Sequence, residues 1–200
     1  MTPNPSVDFF EQQFQRQVRQ AELALNPFEQ MALPWLQGEV LDYGCGLGNL
    51  SVAAARRGCR VLALDASPTA IAHLRQQAQA ERLPIQAVQA DLAEHVLTQD
   101  FDTVVCIGLL MFLDCAQAAQ QLAQLQQRLR PGGTLVLNVL VRGTTYMAMF
   151  DPQRHCLWTP AQLRQRFEGW PIERFEAQDF PAPGATVKSF VTLIARKPTS

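Results

Sequence analysis

After Gly38 the chain settles into short apolar runs separated by helical stretches, and this alternation constrains the fold more than any other feature of the sequence. A strand that reads as a near-continuous apolar run is buried on both faces, and such strands joined through helices form a parallel sheet covered on both sides. The runs are Glu39–Asp42, Arg60–Asp65, Ile85–Asp91, Asp102–Gly108 and Thr134–Val141, so five parallel strands are expected. Ser67 and Pro68 open one crossover helix, which carries Ile71, Leu74 and Ala78. Leu122, Leu125 and Leu129 line another that runs to Arg130, ahead of Pro131 and Gly132. Near the C-terminus, Ile172–Gln178 and Val187–Arg196 read as strands around the turn residues Pro181, Pro183 and Gly184, the pattern of an antiparallel hairpin. The expected class is α/β: a doubly wound, mostly parallel sheet of seven strands, closed by that hairpin.

Two helical stretches precede the sheet. Phe10, Phe14, Val18, Ala21 and Leu25 recur at helical spacing between Ser6 and Leu25, with glutamine and arginine on the other face. Asn26, Pro27 and Glu29 then form a start signal, since an N-cap amide, a first-position proline and an acid at N3 all favour a new helix; Pro34 limits it to about two turns. Residues 1–37 are thus expected to be a helical cap segment and residues 38–200 a single domain.

Composition narrows the function. With 17 basic and 18 acidic side chains the formal charge is -1, which does not support the broad phosphate-binding surface that nucleic acid demands. The N-terminal residues lack a basic segment followed by an apolar core, and no stretch approaches the roughly 20 apolar residues of a membrane span. A soluble, cytoplasmic protein is the expectation, with no membrane or nucleic-acid partner; oligomeric state is left open. The five cysteines, Cys45, Cys59, Cys106, Cys115 and Cys156, contain no CxxC pair and no histidine at ligand spacing, so neither a disulfide framework nor a metal site is expected.

The chemistry concentrates in VLDYGCGLGNL. Gly44, Gly46 and Gly48 separate a buried strand from a helix starting near Asn49 and Leu50, where glycine lets backbone turn and approach a ligand and the helix N-terminus favours an anion. A dinucleotide loop places its third glycine one position later, where this chain has Asn49, so the pattern is G-x-G-x-G. Asp65 ends the next strand and suits a ribose diol; Asp91 ends the third and suits an exocyclic amine; Asp42 precedes the loop and suits an ammonium group. Any one could merely solvate a strand end, but the three gather at the carboxyl ends of successive strands, where open α/β sheets bind ligands.

These residues resemble the class I S-adenosylmethionine-dependent methyltransferases. LDYGCGLG matches the first motif of that family, LALDAS the second and QADL the third, while FDTVVCIGLLMFL and LRPGGTLVLNV resemble its next strand and turn. The resemblance implies a Rossmann-like sheet and S-adenosylmethionine as cofactor. It implies that Asp42, Gly44, Cys45, Gly46, Gly48, Asn49 and Leu50 pack around the methionine part, that Asp65 and Ala66 meet the ribose, that Asp91 and Leu92 meet the adenine, and that Cys106 offers a backbone carbonyl to the ammonium. LLMFLD, PAQLRQRFEGWPIERFE and TLIARK further resemble the tellurite-resistance branch, which acts on soft chalcogen species.

The acceptor is read as a small molecule. The aromatic-proline motif of amino-methylating nucleic-acid enzymes is absent where the chain reads Cys106, Ile107, Gly108, Leu109. No catalytic residue is assigned, because no general-base candidate stands near the cofactor strands; an ionised soft nucleophile such as tellurite, selenite or a thiolate would fit that, since it needs no deprotonation. Position places Met111 and the connection after the fifth strand near the acceptor, with Arg142, Arg154 and His155 as anion-holding candidates and Tyr146 as a wall. The rival readings are an NAD-dependent oxidoreductase, disfavoured by Asn49 and by lysines only at 188 and 197, and a non-catalytic S-adenosylmethionine-binding subunit.

Overall fold

A computed structural model describes residues 5–21 and 23–199. Its sheet has seven strands: β1 (Glu39–Tyr43), β2 (Arg60–Asp65), β3 (Ile85–Gln89), β4 (Phe101–Ile107), β5 (Leu129–Leu140), β6 (Ile172–Ala182) and β7 (Thr186–Arg196). They lie in the order β3-β2-β1-β4-β5-β7-β6. β1 to β5 pair in parallel, and β7 runs antiparallel to both β5 and β6. The class and strand count are those expected, because doubly buried strands joined by helices have few other ways to cover both faces.

The helices are α1 (Pro5–Gln20), α2 (Pro27–Ala32), α3 (Asn49–Arg56), α4 (Pro68–Glu81), α5 (Cys115–Gln127) and α6 (Pro160–Gln165). The α2 start forms a full capping box: Asn26 Oδ1 accepts from the Phe28 and Glu29 backbone, and Glu29 accepts from Asn26 N at 2.8 Å. Ser67 Oγ caps α4 by accepting from Ala70 N, and Asp114 Oδ1 caps α5 by accepting from Gln117 N.

Two boundaries differ from expectation. α1 stops at Gln20, with Ala21 left-handed at φ 54, rather than continuing to Leu25; position 22, within the expected stretch, lies outside the described residues, as do 1–4 and 200. α5 stops at Gln127, because Leu129 pairs with Phe101 as the first residue of β5. Leu129 continues the helical period of Leu122 and Leu125, yet it is buried from a strand, and a period of apolar residues cannot distinguish the two.

Successive strand residues feed opposite cores. Leu41, Leu64, Val104, Leu135 and Leu193 pack in one cluster with Leu122 and Leu125 of α5 and Leu163 of α6. Their neighbours Val40, Ala63, Val105, Val136 and Ile194 face the other side, where Ala32 of α2, Leu50 of α3 and Leu74 of α4 cover them. Asp42 and Asn138 continue the second row towards the carboxyl ends of β1 and β5.

The cysteine expectation needs correction. Cys115 at the start of α5 is disulfide-bonded to Cys156, 41 residues away, while Cys45, Cys59 and Cys106 are buried and free. The pair is far apart in sequence and without a motif, so only the packing of the 144–158 connection against α5 brings it together. Cys156 N also donates to Met111 O at 3.0 Å, and the bond anchors that connection beside the 3-10 turn Leu110–Phe112. Cys115→Ser should lower stability by about 2 to 4 kcal/mol through the freed unfolded chain. Urea midpoints check it: dithiothreitol should bring the native protein to the midpoint of the variant and leave the variant unmoved.

Candidate active site

A cavity of about 540 Å³ opens at the carboxyl ends of β1, β2 and β4 and extends across β5 and β7 beneath α1 and α2. One half is built from the glycine loop. Gly44, Gly46 and Gly48 are all left-handed, with φ of 84, 53 and 76. They divide the work: Gly44 and Gly46 line the cavity, whereas a Cβ on Gly48 would meet Leu74 of α4 at 2.5 Å. Gly48 is therefore required for the packing of the loop against α4.

Asp65 holds this half together. Its Oδ2 accepts from Gly46 N at 2.8 Å and its Oδ1 from Ser67 N at 2.9 Å, which joins the loop after β1 to the start of α4. Burial raises its pKa, opposed by the backbone hydrogen bonds from Ser67, Gly46 and Ala66. Each oxygen keeps acceptor capacity towards the cavity, which Asp65 lines. Asp91 also lines it and accepts from Ala93 N at 3.0 Å, fixing the turn after β3. That turn is held from below by Tyr43, whose hydroxyl donates to Leu92 O at 2.8 Å, and by Gln121, whose amide donates to Ala93 O.

Asp42 is 5% exposed and takes a 2.6 Å hydrogen bond from Ser51 Oγ of α3. Burial pushes its carboxyl up to about 7, the Ser51 bond opposes that, and the charges of Glu29 and Asp65 raise it further. Glu29, from α2, lines the same cavity, and burial raises its pKa too. Four carboxylates, Glu29, Asp42, Asp65 and Asp91, thus face one space, and a cationic ligand would relieve their repulsion.

Of the sequence candidates, Asp42, Gly44, Cys45, Gly46, Asn49, Leu50, Asp65, Ala66, Asp91, Leu92 and Met111 line this cavity. Gly48 and Cys106 do not. The Cys106 side chain is fully buried in the opposite core, and burial pushes its thiol up; the neighbouring Ile107 and Gly108 reach the cavity instead.

Four acceptor-side candidates also lie away from it. Arg142 is exposed, with its backbone N donating to Trp158 O. Arg154 is exposed in a bridge with Asp151, and His155 Nδ1 lies 3.0 Å from Asp151 O. Tyr146 is half-buried, its ring 4.8 Å from Lys188 Nζ. From the connection after β5, Met149 is the residue that lines the cavity. The expectation that this connection supplies the anion-holding groups is therefore corrected: it folds back on itself through the Asp151–Arg154 turn.

Sequence reasoning missed Asn138, Lys188, Phe190, Phe28 and Glu29, all of which line the cavity. Asn138 carries a signal, an amide inside the apolar run TLVLNVL. Phe28, Glu29 and Lys188 carry none, since their approach depends on how α2 and the hairpin dock.

α1 lies over the opening. Phe10 and Phe14 line it; Phe10 packs edge-on against Phe112 with ring centroids 5.0 Å apart, and Phe14 stands 3.3 Å from where a Gly46 Cβ would be. Glu11 accepts hydrogen bonds from Ser67 and Thr69 at the α4 cap, and Ser6 donates to Met149 O at 3.1 Å.

Residues 40–133 match the family described as methyltransferase domain, and the sheet order, glycine loop and strand-end acids are those of the class I S-adenosylmethionine-dependent methyltransferase fold. Among solved structures, TehB of Haemophilus influenzae superimposes with a TM-score of 0.74 over 87% of this chain and 63% of its own, at 20% identity. A structure described under the conversion of a disulfide bond into a thioacetal group during echinomycin biosynthesis gives a TM-score of 0.67 at 26% identity, over 88% of this chain and 84% of its own. Hemagglutinin 1 of Eikenella corrodens is 30% identical over 172 residues, 80% of this chain and 55% of that protein. The chain spans about half the length of the curated relatives it matches. S-adenosylhomocysteine is bound in several solved structures of this fold, in accord with S-adenosylmethionine as the family's cofactor.

The Asp42 environment has a measurable consequence. Between its ordinary value of 3.8 and about 7, the folded protein keeps a proton that the unfolded chain has lost, so this group lowers stability progressively as pH rises through that window. Asp42→Asn, which still accepts from Ser51, should gain stability relative to the native protein on going from about pH 4.5 to about pH 7.5. Urea unfolding at both values checks it, and a constant difference would mean that Asp42 titrates normally.

Proposed function

We propose that this protein transfers the methyl group of S-adenosylmethionine to a small, soft, already ionised nucleophile: a thiolate, or a selenium or tellurium oxyanion. The observation that carries the reading is one continuous cavity with an acid-lined half formed by the glycine loop, the strand ends and Glu29 of α2, and an apolar half at the ends of β5 and β7. The first half fits the cofactor: its positive charge suits Glu29, Asp42, Asp65 and Asp91, its ribose hydroxyls suit the remaining acceptor capacity of Asp65, and its amine suits Asp91. When bound, the cofactor supplies an electrophilic methyl on a sulfonium.

The chain's own residues then position and desolvate. Phe10 and Phe14 of α1 and Phe112 close the opening against water, which strengthens every charge interaction within. Met111, Leu140, Met149 and Phe190 give the acceptor an apolar surround. No histidine lines the cavity among the described residues, and Asp42, Glu29 and Asp65 already accept hydrogen bonds from the chain, which favours a nucleophile that needs no deprotonation. The likeness to the echinomycin-biosynthesis structure, whose described chemistry occurs at sulfur, supports the same class.

Purified protein incubated with S-adenosylmethionine and a panel of thiols, selenite and tellurite should release S-adenosylhomocysteine, and calorimetry should show it binding that product more tightly than NAD. Tighter binding of NAD would overturn the assignment. Asp65→Ala should weaken cofactor binding by about 2 to 4 kcal/mol through loss of acceptors for the ribose.

We further propose that residues 1–37 act as a cap, with α1 as a lid over the cavity. Deleting residues 1–24 should then reduce turnover far more than Tm; equal loss of both would make α1 an ordinary part of the core.

A further inference from the structure

Two polar groups that are not acids, Asn138 and Lys188, line the cavity from β5 and β7. Asn138 on β5 is 1% exposed and lines the cavity. Its Nδ2 donates to Thr192 Oγ1 at 2.9 Å, and its Oδ1 is buried with no partner among the described residues. Buried amide oxygens are ordinarily satisfied, because an unpaired one has lost its water without replacement. An unpaired acceptor on a residue that lines a binding space favours a ligand that brings a donor.

Lys188 on β7 is the basic residue among the described lining residues. Its ammonium makes no ion pair or hydrogen bond among the described residues and rests over the Tyr146 ring at 4.8 Å. An aromatic face steadies a cation without neutralising it, leaving its charge available.

Register sets the spacing. Asn138 pairs with Thr192 and Leu140 with Phe190, so Asn138, Leu140, Phe190 and Lys188 share one face of the sheet. Lys188 is four residues along β7 from Thr192, about 13 Å of strand, with Phe190 between them and Phe28 of α2 packed on Phe190 at 4.7 Å. A lysine side chain can span only part of that length, which favours an elongated organic acceptor over a bare inorganic oxyanion.

Resting on the methyl-transfer reading above, we propose that Asn138 and Lys188 form the acceptor subsite and select an organic acceptor with an anionic group for Lys188, an N–H or O–H donor for Asn138 and an apolar body between them. The soft nucleophile is then part of a small organic acid. Lys188 takes the role that position alone assigned to Arg142, Arg154 or His155.

Three thiols test this by calorimetry on the full chain saturated with S-adenosylhomocysteine: N-(mercaptoacetyl)-6-aminohexanoate has the N–H and the carboxylate at the two ends of an apolar chain, N-hexyl-2-mercaptoacetamide lacks the carboxylate, and 9-mercaptononanoate lacks the N–H. The first should bind at least about tenfold more tightly than either of the others, the scale of one charge-assisted contact. Lys188→Met should erase its advantage over N-hexyl-2-mercaptoacetamide, and Asn138→Leu its advantage over 9-mercaptononanoate, with S-adenosylhomocysteine affinity unchanged in both. Lys188→Gln should behave as Lys188→Met and guards against a packing effect. Failure of the native protein to bind S-adenosylhomocysteine would sink the methyl-transfer reading itself. Normal binding of that product with equal affinity for the three thiols, with binding of none, or with selenite or tellurite bound as tightly and indifferently to Lys188→Met, would overturn the subsite alone.

Discussion

The Asp65 carboxylate joins the parts on which the rest of this structure depends. One oxygen takes the Gly46 amide and the other the Ser67 amide, so the loop after β1 and the first turn of α4 are held by a single side chain. Ser67, fixed in that way, caps α4 through Ala70 N and also donates to Glu11 of α1. Glycine loop, crossover helix and overlying helix are thereby linked through neighbouring hydrogen bonds. A carboxylate at a strand end is usually satisfied by water; here it replaces water with backbone donors and keeps its remaining acceptor capacity towards the cavity.

The sheet distributes function between its faces. Period-two alternation sends Leu41 and Tyr43 to the α5 side and Val40 and Asp42 to the α2–α3 side, and the same alternation puts Asn138, Phe190 and Lys188 in line with Asp42. The α5 side supports the site indirectly: Tyr43, Gln121 and Gln124 hold the turn that presents Asp91 and Leu92. The antiparallel β7 then extends the cavity lining beyond the glycine-loop end through Lys188 and Phe190.

A second clamp works from the opposite edge. The Cys115–Cys156 bond and the Cys156 hydrogen bond to Met111 O hold the 144–158 connection beside the 3-10 turn. Phe150 of that connection stacks against Phe112 at 5.0 Å, and Phe10 of α1 reaches the same ring. The aromatic cluster closing the cavity is thus drawn from three distant stretches of chain.

The sequence by itself determined the strand succession, the left-handed glycine loop, the strand-end aspartates and the helix caps at Asn26 and Ser67. All of these rest on interactions within a few residues or on a short repeat, which a linear pattern records faithfully. It left the end of α5 ambiguous, because Leu129 suits a helical stripe and a buried strand equally. Tertiary structure alone decided that Gly48 serves packing against Leu74, that Cys115 meets Cys156, and that Lys188 and Glu29 reach the cavity while Arg142, Arg154 and His155 do not. Each of those outcomes depends on the register of β7 against β5, the docking of α2 or the path of a long connection. Contacts of that kind are set by packing between elements remote in sequence, and no local spacing encodes them.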